Sequence, residues 1–326
     1  MHVAVLGATG AVGRTMLSVL AERGMPVERL TLLASARSAG TKVSWGGREW
    51  TVQEPRPGSF RGADYALFSA GGARSLEWAP RAADEGAVVV DNSSAWRMDP
   101  QVPLVVPEVN AAAALDRPKG IIANPNCSTI QMVVALQALH AAAGLSRVVA
   151  TTFQSVSGAG ETGRAALAAE LSGDGDAESP FSRRIVGNCI PQIGKIDGEG
   201  WSEEERKMIH ETRKILCLPD LAVAATCVRV PVEVSHSVQV MVETEREMSV
   251  DDARAALSAF PGIVMAASDE AFPTPLEAAG RDEVFVGRLR RDPFLPRTLH
   301  LWIVADNLRK GAATNAVQIV EGLRGG

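Results

Sequence analysis

Cys127 carries the strongest chemical signal in the chain. It lies in Asn124-Pro125-Asn126-Cys127-Ser128-Thr129, after an apolar run over 120–123 and before another over 130–136. That order reads as strand, tight turn, helix. Pro125 pushes Asn124 out of helical backbone geometry, and Asn126 is a residue type that caps helix N-termini. The thiol is therefore expected in the first turn of a helix, where unpaired N–H groups and the dipole favour an anion. A free cysteine has a pKa of about 8.5, and such a site lowers it by roughly one unit or more. Many cysteines are simply buried structural residues, but a polar, turn-rich hexapeptide makes a poor core segment. The chemistry that fits is nucleophilic attack by a thiolate.

A second constellation opens the chain. Gly7-Ala8-Thr9-Gly10-Ala11-Val12-Gly13 follows the apolar run 3–6 and precedes an amphipathic stretch. This GxxGxxG spacing is a variant of the dinucleotide fingerprint. Small residues let the backbone approach a pyrophosphate, and the following helix offers its N–H groups. An acid at the end of the second strand would hold the ribose hydroxyl of NAD. That strand instead runs into Ser35-Ala36-Arg37-Ser38. Arg37, flanked by Ser35 and Ser38, suits a 2′-phosphate, so the pattern favours NADP.

The elements that must position these groups change character along the chain. Short apolar runs at 3–6, 30–34, 64–69, 87–90, 104–106 and 121–123 alternate with helical stretches at 14–23 and 75–84. Continuous short strands separated by helices predict a mostly parallel, doubly covered sheet. Beyond residue 130 longer strands are expected at 147–155, 222–230 and 237–245. Val238, Val240 and Val242 alternate with other residues, as in a sheet with one exposed face. Helices are expected at 160–171, 202–216, 250–260 and 308–323, with Ser202 and Glu205 forming a capping box. Residues 172–182 read as a surface loop. The last helix is amphipathic enough to pack back on the first domain. The expected division is 1–127 joined by 307–326, and 128–306.

Bulk composition excludes several classes. The chain has 326 residues, 46% of them hydrophobic, and a net charge of −5. Basic residues are scattered, so no nucleic-acid partner is expected. No apolar run reaches the ~18 residues of a membrane span, and the first residues enter a strand without a signal-peptide pattern. Four cysteines without CxxC spacing argue against a metal site and against a disulfide framework. A cytoplasmic location is expected.

A hydride cofactor combined with a thiolate suggests interconversion of an aldehyde and an acyl group through a thioester. Here the chain closely resembles the aspartate-β-semialdehyde dehydrogenase family, over almost its whole length. Asn124–Thr129 resembles the nucleophile motif. Gln154-Ser155-Val156-Ser157-Gly158-Ala159-Gly160 resembles the segment bearing the active-site Gln. Residues 91–98 resemble the segment with a phosphate-binding Arg, here Arg97. Residues 204–216 resemble the substrate-site helix. Residues 227–232 with His236-Ser237 resemble the carboxylate-binding Arg and the catalytic His, and 306–313 resemble the C-terminal cofactor-contact motif.

The resemblance implies a Rossmann-type NADP-binding domain plus an α+β catalytic and dimerisation domain with a mixed or antiparallel sheet. It implies NADPH-dependent conversion of L-4-aspartyl phosphate to L-aspartate 4-semialdehyde, feeding lysine/diaminopimelate, threonine, methionine and isoleucine biosynthesis, by a homodimer or homotetramer. Cys127, His236 and Gln154 are the implied catalytic residues. Asn126, Arg97, Glu204, Lys207 and Arg229 are implied for substrate. Gly7, Thr9, Gly10, Ala11, Val12, Gly13, Ser35, Arg37, Ser38, Ser157, Gly158, Ala159 and Asn307 are implied for cofactor, and no metal is implied. An N-acetyl-glutamyl-phosphate reductase-like enzyme and a catalytically silent NADP-binding homologue are the rivals.

These types suit their roles. Imidazole titrates near working pH, and a guanidinium grips a carboxylate bidentately. Arg229 and His236 stand seven positions apart, so a turn or break near Pro231 is needed to bring them to one face. Ser235 departs from the family, where Gly commonly precedes the His, and this loosens the expected turn.

Overall fold

The computed structural model describes residues 1–173 and 178–325. They form two compact units, residues 1–126 with the chain from Ala312 onward, and Cys127–Gly311. Part of the surface loop expected at 172–182 thus lies outside the described residues.

In the first unit, strands β1 (His2–Leu6), β2 (Arg29–Leu33), β5 (Tyr65–Phe68), β6 (Val88–Asp91) and β7 (Ile121–Ala123) make a parallel sheet in the order β2-β1-β5-β6-β7. β1 is buried along its whole length, which fits the continuously apolar run over residues 3–6. A separate hairpin joins β3 (Lys42–Trp45) to β4 (Arg48–Thr51). Its two-residue turn, Gly46-Gly47, has positive φ at both positions, as such turns require. Helix Ala11–Glu22 buries Met16, Leu17 and Leu20 in one cluster with Ala316, Val317, Ile319 and Val320. These last four lie on the terminal helix Thr314–Gly325, so the last helix packs on the first unit. It starts later than its pattern suggests, because Arg309–Ala313 forms a π-helical turn.

One expected strand is absent. Leu104, Val105 and Val106 are buried, yet pair only through a single bridge from Leu104 to Ala123. Pro103 and Pro107 bracket the run, and Pro107 starts a short helix, so pairing has no room to extend.

The second unit is built on a six-stranded mixed sheet. Its strands are β8 (Arg147–Gln154), β9 (Ala222–Arg229), β10 (His236–Glu243), β11 (Ile263–Met265), β12 (Val284–Arg291) and β13 (Thr298–Ala305). The order is β11-β12-β13-β10-β8-β9. The outer pairs β11/β12 and β8/β9 are parallel and the inner ones antiparallel. Alternate residues of β8, such as Val148, Ala150, Thr152 and Gln154, are buried. Helix Cys127–Ala143 is buried on nearly every side, and helix Glu203–Leu216 starts with the expected capping box at Ser202. No described helix is long and apolar enough to cross a membrane.

Candidate active site

The glycine loop of the first unit is shaped by close backbone contacts. Gly7 has φ +90°, and a Cβ there would stand 2.7 Å from the carbonyl oxygen of Ser69. A Cβ on Gly13 would stand 2.1 Å from the carbonyl oxygen of Gly7. Neither position tolerates a side chain. No side chain caps the following helix at Gly10, so its first N–H groups are available to an anion. The Thr9 hydroxyl donates to Ser38 Oγ at 3.3 Å, which ties this loop to the turn after β2. Ser35 and Arg37 are exposed on that turn. Ala11 and Val12 form the first turn of the helix. This cradle fits a dinucleotide phosphate.

The approach to Cys127 is locked by buried amides. Asn124 donates to Asn92 Oδ1 at 2.6 Å and to the Ala312 carbonyl at 3.2 Å. It accepts from Asn315 Nδ2 at 2.7 Å, and Asn315 also donates to the Val105 carbonyl at 2.9 Å. Arg97 is buried and donates to the carbonyls of Asn124 and Asn92, each at 3.0 Å. Arg97 therefore also braces the loop that leads to Asn126, which is itself buried.

In the second unit the register assembles three of the expected residues. Gln154 is paired with Arg229 across β8/β9 and with His236 across β8/β10. Arg229, Gln154 and His236 thus form one cross-strand row at one end of the sheet, and all three are buried. Side chains in register share a face. β9 ends at Arg229 and β10 begins at His236, with the expected break between them. Cys127 opens its helix, and Gln131, one turn on, donates to the carbonyl of His236 at 3.0 Å. A Cβ on Gly311 would stand 2.9 Å from Cys127 Cβ.

Helix Glu203–Leu216 adds a carboxylate and an ammonium. Glu204 is buried; it accepts from Gln154 Nε2 at 3.1 Å and from Lys207 Nζ at 3.0 Å. Gln154 Oε1 accepts from the Thr152 hydroxyl at 3.0 Å. Burial lowers the pKa of Arg229, while the charges of Glu204 and Cys127 favour its protonated form. The Arg229 guanidinium donates to the Ser155 carbonyl at 2.5 Å and lies 5.9 Å from the Phe181 ring centre. It lines a cavity of about 310 Å³ together with Ala159, Phe181, Gln192 and Lys195.

His236 departs from expectation in one respect. It is fully buried, and burial, aided by the Arg229 charge, lowers its pKa from 6.5 to about 3. Its Nδ1 accepts the Ser155 N–H at 3.0 Å and lies 3.0 Å from Ser155 Oγ. Its Nε2 has no hydrogen-bond partner among the described residues. A Cβ on Gly158 would meet that Nε2 at 3.2 Å and Arg229 Nη1 at 2.8 Å, so Gly158 keeps open the space beside both groups.

Asn307, expected near a cofactor, is the centre of a buried network. Its Oδ1 accepts from the Ser235 N–H at 2.8 Å and from the hydroxyls of Ser155 and Ser157 at 3.1 Å. Its Nδ2 lies 3.0 Å from Ser157 Oγ. Ser235 has φ +75°, the left-handed region that favours glycine. Sequence reasoning missed Gln131 and Asn315 as supports, whose signal was a polar residue among apolar neighbours, and Asn124, whose polar surroundings gave none. It also missed Glu205, whose buried carboxylate accepts the Cys227 N–H at 3.0 Å. Burial raises the Cys227 thiol pKa far above the ordinary value, which disfavours its thiolate. Among the described residues no cluster of His, Cys, Asp and Glu could hold a metal ion.

Comparisons with known proteins match this arrangement. Residues 2–116 match the family model described as semialdehyde dehydrogenase, NAD binding domain, and residues 136–310 the one described as semialdehyde dehydrogenase, dimerisation domain. The aspartate-semialdehyde dehydrogenase of Aquifex aeolicus is 51% identical over 329 residues, covering 98% of this chain and 97% of the relative. That of Bacillus subtilis is 49% identical over 338 residues, covering 99% and 97%. The solved structure of aspartate semialdehyde dehydrogenase II from Vibrio cholerae, complexed with ASA, superposes with a TM-score of 0.96 at 48% identity, covering 99% of this chain and 98% of that one. Identity near one half, sustained through both units and matched by the fold, places the chain in the aspartate-semialdehyde dehydrogenase family.

Proposed function

We propose that this chain catalyses the reversible, NADPH-dependent reductive dephosphorylation of L-4-aspartyl phosphate to L-aspartate 4-semialdehyde through a thioester on Cys127. The observation that carries the reading is the in-register row Arg229, Gln154, His236, tied through Gln131 to the helix that Cys127 opens. The Cys127 thiolate attacks the acyl carbon, the C–O bond to phosphate breaks, and phosphate leaves with the electron pair. When bound, the nicotinamide supplies the hydride that reduces the thioester carbonyl. The hemithioacetal oxyanion then reforms the carbonyl, the C–S bond breaks, and the thiolate returns.

Arg229 is the group for the substrate carboxylate, since its planar fork is buried beside an open cavity. Glu204 supplies the anion that an amino-acid ammonium needs. Lys207 and Arg97 serve the phosphate, and Gln154 orients the acyl group. Residues 1–126 with the terminal helix form the dinucleotide domain, where Arg37 selects NADP. Residues 127–311 form the catalytic and dimerisation domain of a cytoplasmic homodimer or homotetramer. The enzyme belongs to the biosynthesis of lysine, threonine, methionine and isoleucine.

The test is NADPH formation from aspartate semialdehyde, phosphate and NADP. Wild-type protein is expected to turn over, and Cys127→Ala to lose turnover while still binding NADPH. Substantial activity in the variant would refute the thioester route.

A further inference from the structure

The buried face of β8 carries a hydroxyl two residues before Gln154. Thr152 is fully buried. It stands in register with Cys227 on β9 and Val238 on β10, in the row next to Arg229, Gln154 and His236 on the same face of the sheet. A β-branched side chain has few χ1 positions open to it, so the strand itself fixes where this hydroxyl sits. The hydroxyl donates to Gln154 Oε1 at 3.0 Å. Its oxygen accepts from the Val228 N–H at 3.4 Å, and it is also hydrogen-bonded with the Cys227 thiol. Sulfur accepts weakly, so the amide oxygen is the better taker of the hydroxyl proton.

An amide has two ends of similar shape and opposite hydrogen-bonding role. On Gln154 the nitrogen lies 3.1 Å from Glu204 Oε1, while Glu204 Oε2 accepts from Lys207 Nζ at 3.0 Å. A carbonyl turned toward that carboxylate would set two acceptors against each other, so Glu204 demands the nitrogen. The amide oxygen is then left facing the interior, where an acceptor without a donor is costly. Thr152 is the donor it meets. Gln154 is thus held at both ends of its amide, by a carboxylate on the helix and a hydroxyl on its own strand. One N–H goes to Glu204, and the second is available to a ligand oxygen.

We propose that Thr152 is a positioning residue for the reaction: its hydroxyl fixes the direction of the Gln154 amide that orients the acyl group. The inference rests on the role given to Gln154 above. Thr152 reaches the substrate only through Gln154 Oε1. Without that donor the amide is free to turn from its place, and a small misplacement of a reacting group can slow a reaction about a hundred-fold. The grip of Arg229 on the substrate carboxylate does not pass through Thr152. Loss of the hydroxyl therefore acts on kcat more than on the Michaelis constants.

The test is a double-mutant cycle on the full chain, read as steady-state kinetics with aspartate semialdehyde, phosphate and NADP. Thr152→Val keeps the shape and removes the hydroxyl. It is expected to lower kcat roughly ten- to hundred-fold, with each Michaelis constant within about threefold of wild type. Thr152→Ser restores the hydroxyl and is expected to recover most of the loss. In a Gln154→Ala background, Thr152→Val is expected to lower kcat further by less than about twofold, because residues that act through one contact are not additive. An undiminished loss in that background overturns the proposal. So does an unimpaired Thr152→Val, or a folded Thr152→Ser as slow as Thr152→Val. Thr152→Ala in the same two backgrounds makes the same comparison if Thr152→Val fails to fold. A crystal structure of the hydroxyl-free variant needs no turnover. Its Gln154 amide is expected to have left its place beside Glu204, and an unmoved amide overturns the proposal. A wild-type protein inactive on aspartate semialdehyde would count against the reaction and leave the Thr152 contact separately decided.

Discussion

Ser235→Gly is expected to stabilise the protein, although it adds no contact. Ser235 is fully buried with φ +75°. A left-handed backbone costs a non-glycine residue about 1–2 kcal/mol. Its hydroxyl has no partner among the described residues, which costs about 1–3 kcal/mol more. Glycine removes both terms. It adds unfolded-state entropy worth about 0.5–1 kcal/mol and loses the packing of one buried methylene, about 0.8 kcal/mol. The balance is a gain of about 1–2 kcal/mol, taken from the middle of these ranges. For domains of this size that raises the melting temperature by about 2–8 °C. Ser235→Ala removes the hydroxyl but keeps the Cβ, and is expected to recover a smaller part of the gain. Scanning calorimetry of the three proteins at one pH and concentration decides the matter. A Ser235→Gly protein that melts at or below the wild-type temperature shows that the turn is not strained.

Two further variants probe the sites. Gly158→Ala places a Cβ 2.8 Å from Arg229 Nη1, so the guanidinium must move; the Michaelis constant for aspartate semialdehyde is expected to rise roughly ten- to hundred-fold, and unchanged steady-state kinetics would clear Gly158 of any role. Arg37→Ala removes one charge-assisted contact, worth about 1.5–3 kcal/mol, so the Michaelis constant for NADP is expected to rise roughly ten- to hundred-fold while that for NAD stays nearly constant; equal effects on both cofactors would refute the 2′-phosphate assignment.

The parts of this molecule that were legible in its sequence are those governed by neighbours along the chain. Cys127 announces itself because Pro125 and Asn126 fix a turn before a helix, and the Gly7–Gly13 spacing does so because backbone contacts there exclude a Cβ. The need for a break between Arg229 and His236 followed from strand alternation alone. What could not be read was register. Gln154 stands beside both Arg229 and His236 because β8 pairs with β9 on one side and β10 on the other, and no local pattern encodes that choice. β12 and β13 were missed too, although β13 is the central partner of β10. The burial that lowers the pKa of His236 is likewise a property of its surroundings. Residues 104–106 show the reverse error, since apolar residues fill a core without pairing when prolines flank them.

The order of the strands also sets when a growing chain can become a protein. β10 lies between β8 and β13, so one of its edges stays bare until residues 298–305 have been made. The core of the first unit includes Ala316, Val317, Ile319 and Val320, the first of them 190 residues beyond Asn126. Neither half can close early. At about 5–20 residues per second, the 194 residues from Cys127 to Val320 take roughly 10–40 s to synthesise. Throughout that interval the apolar surface that the last helix will cover is exposed to other nascent chains. A ribosome that stops short of the last helix releases a polypeptide whose first sheet has lost part of its cover, and quality control, not catalysis, becomes its fate.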